Sequence, residues 1–209
     1  MKNLFAFVIL ITAPLVGQHQ LPFASTNNTI ELSVANTSTV ATSNVVVAAT
    51  SAPQWLQIVN SKFQITTLKS NETSTARFAF SVDKSAPVNK SEQVTFTITN
   101  SNGERWTKTL SLQVSPPEKF ELFQNYPNPF NPSTIISYQL PVNSELSLKV
   151  YDLLGREVTT LEEGMKEAGY HQKEWNALGV ASGVYIYQLT TSSEQGKKEY
   201  FRKKMIVVK

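Results

Sequence analysis

The chain contains 209 residues, of which 41% are hydrophobic and 10% aromatic, and this length accommodates one large or two small domains. Cysteine is absent, which excludes disulfide bonds, a thiol nucleophile, a cysteine-based zinc site and a lipidated cysteine anchor. The formal net charge of +3 is too small to indicate a nucleic-acid partner.

The beginning of the chain has the pattern of a signal peptide. A short positive segment containing Lys2 precedes residues 4–16, which are apolar except for one threonine and one proline. That run is too short to span a bilayer but has the length of a signal-peptide core. We predict a leader over residues 1–17, cleaved after Gly17 or as late as Ala24. No other apolar run in the sequence is long enough to predict a membrane span.

Residues 26–115 alternate between short apolar-rich runs and clusters of Asn, Ser, Thr and Gly. The runs predict seven strands, at 30–35, 45–49, 55–59, 63–68, 76–82, 94–99 and 106–114. Asn102-Gly103, between the last two runs, is the strongest short signal for a β-hairpin. The sequence therefore predicts an immunoglobulin-like or fibronectin-like antiparallel sandwich as the first folded domain.

The composition of this first domain argues against catalysis. The two histidines of the chain are His19, beside the leader, and His171, which lies in the second half. The two aspartates, Asp83 and Asp152, also lie in different halves, so a Ser-His-Asp or Cys-His arrangement is not available within 26–115. The glutamates of this region are interpreted as surface or turn residues. We predict that the protein is not an enzyme and holds no cofactor or metal ion.

Two tryptophans leave a binding role open for the first domain. Trp55 and Trp106, together with Phe63, could form an aromatic platform for a sugar ring. The alternative interpretation places both tryptophans in the core of a sandwich that has no disulfide bond to stabilise it.

A stiff linker at 116–119, Pro-Pro-Glu-Lys, precedes a second region of short alternating runs over 120–209. Three prolines lie within six residues there, at Pro127, Pro129 and Pro132, so this segment can form neither a helix nor a central strand. Six or seven strands are predicted in the remaining ninety residues, which indicates a second immunoglobulin-like sandwich in tandem with the first.

Four motifs recur in order through 120–209. They comprise Tyr126, Pro127, Asn128, Pro129 and Phe130; Tyr151, Asp152, Gly155 and Arg156; Gly183, Val184 and Tyr185; and Lys203, Lys204 and Met205. In this order the motifs resemble the type A C-terminal sorting domain of the type IX (Por) secretion system of Bacteroidetes-like Gram-negative bacteria. Residues 26–115 more weakly resemble the Ig-like accessory domains of secreted bacterial glycosidases and peptidases.

The resemblance implies an itinerary and partners. Such a domain takes its protein from the periplasm across the outer membrane, through contact with the type IX translocon and its sorting peptidase. It is often then removed, and the passenger is released or attached to surface lipopolysaccharide. We therefore expect a secreted or cell-surface protein carrying an Ig-like adhesion module that binds a glycan or a protein. The alternatives are a short paralogue or remnant of a secreted hydrolase, or a carbohydrate-binding module.

Specific roles follow for several motif residues. Pro127, Pro129 and Phe130 should shape the start of the sorting domain, and Gly155 and Gly183 should hold turns where a side chain would clash or require a costly backbone conformation. The basic tail that includes Lys203 and Lys204 has two interpretations. It is either a solvated edge strand that lysines protect from aggregation or a docking surface for an acidic partner.

Overall fold

The protein is described by a computed structural model that covers residues 7–11, 19–192 and 198–209. All regular elements in these ranges are β-strands, which confirms the all-β prediction. The chain divides into two compact units, Met1–Ser115 and Pro116–Lys209. No helix in the described ranges is long and apolar enough to cross a membrane.

The first unit consists of two sheets. Its strands are β1 (Phe7–Ile11), β2 (His19–Leu21), β3 (Asn28–Ala35), β4 (Thr42–Ser51), β5 (Leu56–Ile58), β6 (Lys62–Leu68), β7 (Thr73–Val82), β8 (Ser91–Thr99) and β9 (Arg105–Val114). One sheet has the order β1-β3-β7-β5 and the other the order β2-β9-β8-β4-β6. All seven strands predicted between 30 and 114 are present. One pair departs from the antiparallel prediction, because β2 runs parallel to β9.

The core of the first unit lies between these sheets. Apolar residues at alternate positions of each strand point to one face, since successive side chains of a strand point to opposite sides. In β7, for example, Phe78 and Phe80 are buried while their neighbours are exposed or half-buried. The ring of Phe78 packs against that of Phe96 of β8, with 5.0 Å between centroids, so the two sheets share one core.

The predicted hairpin joins β8 to β9. Gly103 has a φ of +74°, a left-handed conformation that costs a glycine little. The connection covers residues 100–104, because Thr99 pairs with Arg105 across the hairpin. Asn100 organises this loop: its side-chain oxygen accepts hydrogen bonds from the backbone N–H groups of Asn102 and Glu104, both at 3.1 Å.

The predicted leader is described only in part. Residues 7–11 form β1, which pairs antiparallel with β3. The proposed cleavage position at Gly17 lies outside the described residues.

The second unit also contains two sheets. Its strands are β10 (Glu121–Leu122), β11 (Ser133–Leu140), β12 (Ser144–Tyr151), β13 (Glu157–Lys166), β14 (Gly169–Asn176), β15 (Gly183–Ser192) and β16 (Lys198–Val207). The order is β10-β11-β14 in one sheet and β13-β12-β15-β16 in the other. Tyr138 of β11 and Tyr187 of β15 are among the largest fully buried side chains, and both belong to the core that the two sheets share.

Candidate functional site

The first motif is in direct contact with the residues that follow the fourth motif, although the two motifs lie far apart in the sequence of the second unit. The backbone N–H of Phe130 donates to the carbonyl of Ile206 at 3.0 Å, and the N–H of Val208 donates to the carbonyl of Phe130 at 3.0 Å. The side-chain oxygen of Asn128 accepts a hydrogen bond from the N–H of Ile206 at 2.9 Å. We call these contacts of Asn128 and Phe130 with Ile206 and Val208 the strand-end clamp. The clamp pairs the proline segment with the outer edge of β16.

Phe130 anchors the proline segment in the core. Its side chain is 3% exposed, whereas that of Tyr126 is 81% exposed. The Phe130 ring meets Trp175 edge-on at a centroid distance of 5.5 Å, and Trp175 in turn meets Tyr185 at 5.7 Å. Edge-to-face contacts of this kind add to the stabilisation that burial gives. Through them the third motif, which contains Tyr185, is packed against the first.

A buried polar network that the sequence did not reveal supports the same region. Asn125 is 2% exposed, and its N–H donates to the hydroxyl of Tyr187 at 2.9 Å. That hydroxyl donates to the carbonyl of Phe123 at 2.8 Å. The Asn125 side chain donates to the Pro127 carbonyl at 3.0 Å and to the Thr134 hydroxyl at 2.9 Å. Because buried polar groups are costly unless paired, this network fixes the path of the chain into the proline segment.

The second motif forms a tight turn between β12 and β13. One carboxylate oxygen of Asp152 accepts hydrogen bonds from the N–H groups of Leu154 and Arg156, both at 2.9 Å, and the other accepts from the Arg156 Nε at 2.7 Å. The backbone hydrogen bond from Arg156 is the main reason that the pKa of Asp152 lies below its usual value. Gly155 has a φ of +78° with no atom near its missing Cβ, so backbone conformation and not space requires glycine there.

Gly183 does not have the steric role that the sequence suggested. It is the first residue of β15 and pairs with Val207, so it does not lie in a turn. A Cβ added to it would meet nothing closer than a ring carbon of Tyr185 at 4.0 Å. The expected clash is therefore absent, and the feature that favours glycine at this position is its φ of +159°.

The solvent-facing side of the β13-β12-β15-β16 sheet carries a shallow groove. Val184, Ile186 and Gln188 of β15 alternate with buried residues and point outward. One hollow of about 580 Å³ and a second of about 360 Å³ both include Ile186 and Arg202 in their linings. We call the two hollows together the outer groove. Its lining contains Gln124, Asn128, Tyr151, Asp152, Leu153, Gly155, Val184, Ile186, Gln188, Arg202, Lys203, Lys204 and Ile206.

The two tryptophans of the first unit are not neighbours. Trp55 is 6% exposed, and its indole N–H donates to a carboxylate oxygen of Glu92 at 3.2 Å. Trp106 of β9 is half-buried and pairs with Ile98 of β8, the strand that also contains Glu92. Glu92 and Ile98 are six residues apart, or about 20 Å along an extended strand. The burial of Trp55 agrees with the interpretation that places this side chain in the core, and the aromatic platform stays a prediction.

In the described part of the chain, no three His, Asp or Glu side chains come together in a way that could hold a metal ion. Residues 124–207 match the family described as the secretion system C-terminal sorting domain. None of the curated proteins matches the chain.

Among solved structures, dimeric latent PorU from Porphyromonas gingivalis is 12% identical, with a TM-score of 0.37, over 98% of this chain and 20% of that chain. The chain thus spans about a fifth of that PorU chain. The major pilin subunit BcpA of Bacillus cereus is 14% identical, with a TM-score of 0.38, over 98% and 67% of the two chains. The CupB2 chaperone of Pseudomonas aeruginosa is 14% identical, with a TM-score of 0.31, over 89% and 96%. At these TM-scores the likenesses have no bearing on function.

Proposed function

We propose that this chain, whose residues 124–207 belong to the C-terminal sorting domain family of the type IX secretion system, is a non-catalytic protein exported to the cell surface or beyond. In this proposal residues 1–17 are a signal peptide that delivers the chain to the periplasm, residues 26–115 are the passenger, 116–119 are a linker, and the sorting domain extends over 120–209. The partners are the type IX translocon and its sorting peptidase.

The strand-end clamp is the observation that supports an export role for the folded second unit. The proline segment is bound to β16 by two backbone hydrogen bonds, Phe130 to Ile206 and Val208 to Phe130. Export machinery that recognises β16 would therefore contact a strand whose position depends on the start of the same domain. Removing residues 200–209 would leave β15 without its neighbour and would expose Phe130.

Deletion of residues 200–209 in the native host tests the proposal. We expect the truncated protein to accumulate in the periplasm, and the intact protein to appear at the surface or in the medium with a terminus near Gln18. Cell fractionation followed by mass spectrometry of both termini measures this. A Lys209→Ala variant, which changes one exposed side chain, is the control and should be exported. Normal export of the deletion variant would disprove the proposed function.

The passenger is proposed to be a binding module for a glycan or a protein. Its support is compositional and architectural: the first unit is a sandwich whose buried residues are mainly apolar. Binding of the purified passenger-bearing chain to glycan and surface-protein panels would identify the ligand. Turnover of a glycoside or peptide substrate by the same preparation would overturn the non-catalytic assignment.

A further inference from the structure

We propose that the outer groove is where the export machinery docks, and that the partner inserts an extended acidic segment with apolar side chains. This inference rests on the proposed function and specifies which face of the sorting domain is recognised. The groove lies on the outward side of β12, β15 and β16, opposite the face that forms the core.

The floor of the groove is apolar, although it faces solvent. Val184 and Ile186 of β15 are half-buried outward-facing residues, and Ile206 of β16, which pairs with Val184, is 40% exposed. A solvated sheet face usually alternates apolar inward positions with polar outward positions. These three aliphatic side chains point away from the core, so packing within the domain does not explain why they are apolar. Burial by a partner does explain it.

The charge around this floor selects an acidic partner. Arg202 and Lys204 line the groove from the outward side of β16, the side on which Ile206 lies, and among the lining residues Asp152 is the one carboxylate. Asp152 is already engaged by Arg156, at 2.7 Å. The groove therefore presents uncompensated positive charge beside apolar surface.

Arg202 is hydrogen-bonded to a neighbouring residue of the groove. Its Nε donates to the side-chain oxygen of Gln188 at 2.5 Å, and Gln188 also lines the groove. That bond uses one of the five donors of the guanidinium group, whose planar fork can bind a carboxylate through two parallel hydrogen bonds. A side chain held in this way loses less conformational freedom when the partner binds.

The shape favours an extended polypeptide over a compact headgroup. The two hollows share Ile186 and Arg202, and their combined lining extends from Asn128 of the clamp to Gly155 in the β12–β13 turn. An elongated depression with an apolar floor and cations at one side suits a strand that alternates acidic and apolar residues.

A pair of charge reversals on β16 tests the proposal in the full-length chain. Arg202→Glu changes the centre of the groove, and Lys198→Glu makes the same change on an exposed residue of the same strand outside it. Because like charges at an interface are strongly unfavourable, we expect the surface-exposed fraction to fall about tenfold for Arg202→Glu. Lys198→Glu should be exported normally. Ile186→Thr, which removes apolar floor, should also reduce export.

Surface exposure is measured by protease accessibility on intact cells, and the urea midpoint of each purified variant establishes that it folds. If folded Arg202→Glu is exported as well as Lys198→Glu, the outer groove is not the docking site. The proposed function would still stand in that case if deletion of 200–209 blocks export. Purified full-length chain is also mixed with vesicles containing lipopolysaccharide or phosphatidylcholine alone. Binding to the former that is lost in Arg202→Glu would overturn the protein partner and identify an anionic lipid as the occupant.

Discussion

Replacing Tyr187 with phenylalanine should destabilise the second unit through the loss of a single hydroxyl group. The Tyr187 side chain is fully buried, so phenylalanine preserves its packing. The hydroxyl accepts a hydrogen bond from the N–H of Asn125 at 2.9 Å and donates one to the carbonyl of Phe123 at 2.8 Å. Asn125 is itself 2% exposed, so water has little access to its unpaired N–H in the variant.

The magnitude follows from the two backbone groups that lose their partner. A buried donor or acceptor left without a hydrogen bond costs about 1–3 kcal/mol. Because Asn125 N–H is deeply buried and Phe123 is partly buried, we expect Tyr187→Phe to lower the free energy of unfolding by about 2–4 kcal/mol. Tyr185→Phe is the matched control, since its hydroxyl makes one part-buried bond to the Ala181 carbonyl and its loss should cost about 1 kcal/mol.

The assay follows the fluorescence of Trp175 during urea unfolding of the full chain. Trp55 and Trp106 are replaced by phenylalanine in all variants, so the remaining tryptophan reports on the second unit alone. Hydrogen exchange of the Asn125 amide gives an independent measurement and should accelerate in Tyr187→Phe. A loss no larger than that of Tyr185→Phe, with unchanged Asn125 exchange, would refute the role of this network.

Three further predictions concern the same unit. Gly155→Ala should lower the free energy of unfolding by about 1 kcal/mol in the same urea assay, because Gly155 has a left-handed backbone conformation. Gly179→Ala is the control: an added Cβ also meets open space there but the backbone is not left-handed, so the free energy of unfolding should change little. Burial raises the pKa of Tyr187 from 10.0 to about 12, so the contribution of this group to stability should be complete below pH 10 and should be lost as pH rises toward 12, since the unfolded chain loses this proton first. Tyr187→Phe should make the alkaline decline shallower in urea titrations, and Tyr138, whose pKa burial also raises, should maintain part of it. Thr134→Val should cost about 1–3 kcal/mol by calorimetry, because the buried Asn125 side chain and a backbone carbonyl lose a partner, and a neutral effect would contradict this.

The strand pattern of this protein can be predicted from its sequence because period-two alternation is clear in many of the longer strands, among them β3, β7, β11, β12 and β15. Three strands were not predicted. β1 lies in the apolar run that was interpreted as a leader, and β2 and β10 contain three and two residues and are too short to show a period. The parallel pairing of β2 with β9 was not predicted either, because alternation indicates which face of a strand is buried but not which strand is its neighbour.

The contacts of the site were less predictable, because they join residues far apart in the chain. The motifs identified Phe130 and the end of β16, but nothing in their spacing indicated a hydrogen bond between Phe130 and Ile206. Thr134 did leave a signal: it occupies an inward position of β11, in register with the buried Ile136 and Tyr138. A polar residue at a core position requires a partner. Asn125 left no such signal, because it lies outside any regular strand.

The strand-end clamp and the outer groove are coupled through β16, and this leads to a prediction about Phe130. Phe130 does not line the groove. Its backbone is hydrogen-bonded to Ile206, however, and Ile206 does line the groove. Phe130→Ala removes a ring that is 3% exposed and should cost about 3–5 kcal/mol, loosening the end of β16 first. The N–H of Val208, which donates to the Phe130 carbonyl, should then exchange faster.

Export should consequently fall in Phe130→Ala although no groove side chain has changed. Tyr126→Ala is the matched control from the same motif, because its side chain is 81% exposed and its loss should leave stability within about 0.5 kcal/mol. Protease accessibility on intact cells and amide exchange of the purified chains measure the two effects together. If Phe130→Ala loosens β16 but is exported as well as Tyr126→Ala, the position of that strand does not control recognition. Reduced export together with faster exchange at Val208 would mean that the machinery recognises β16 as the folded domain presents it.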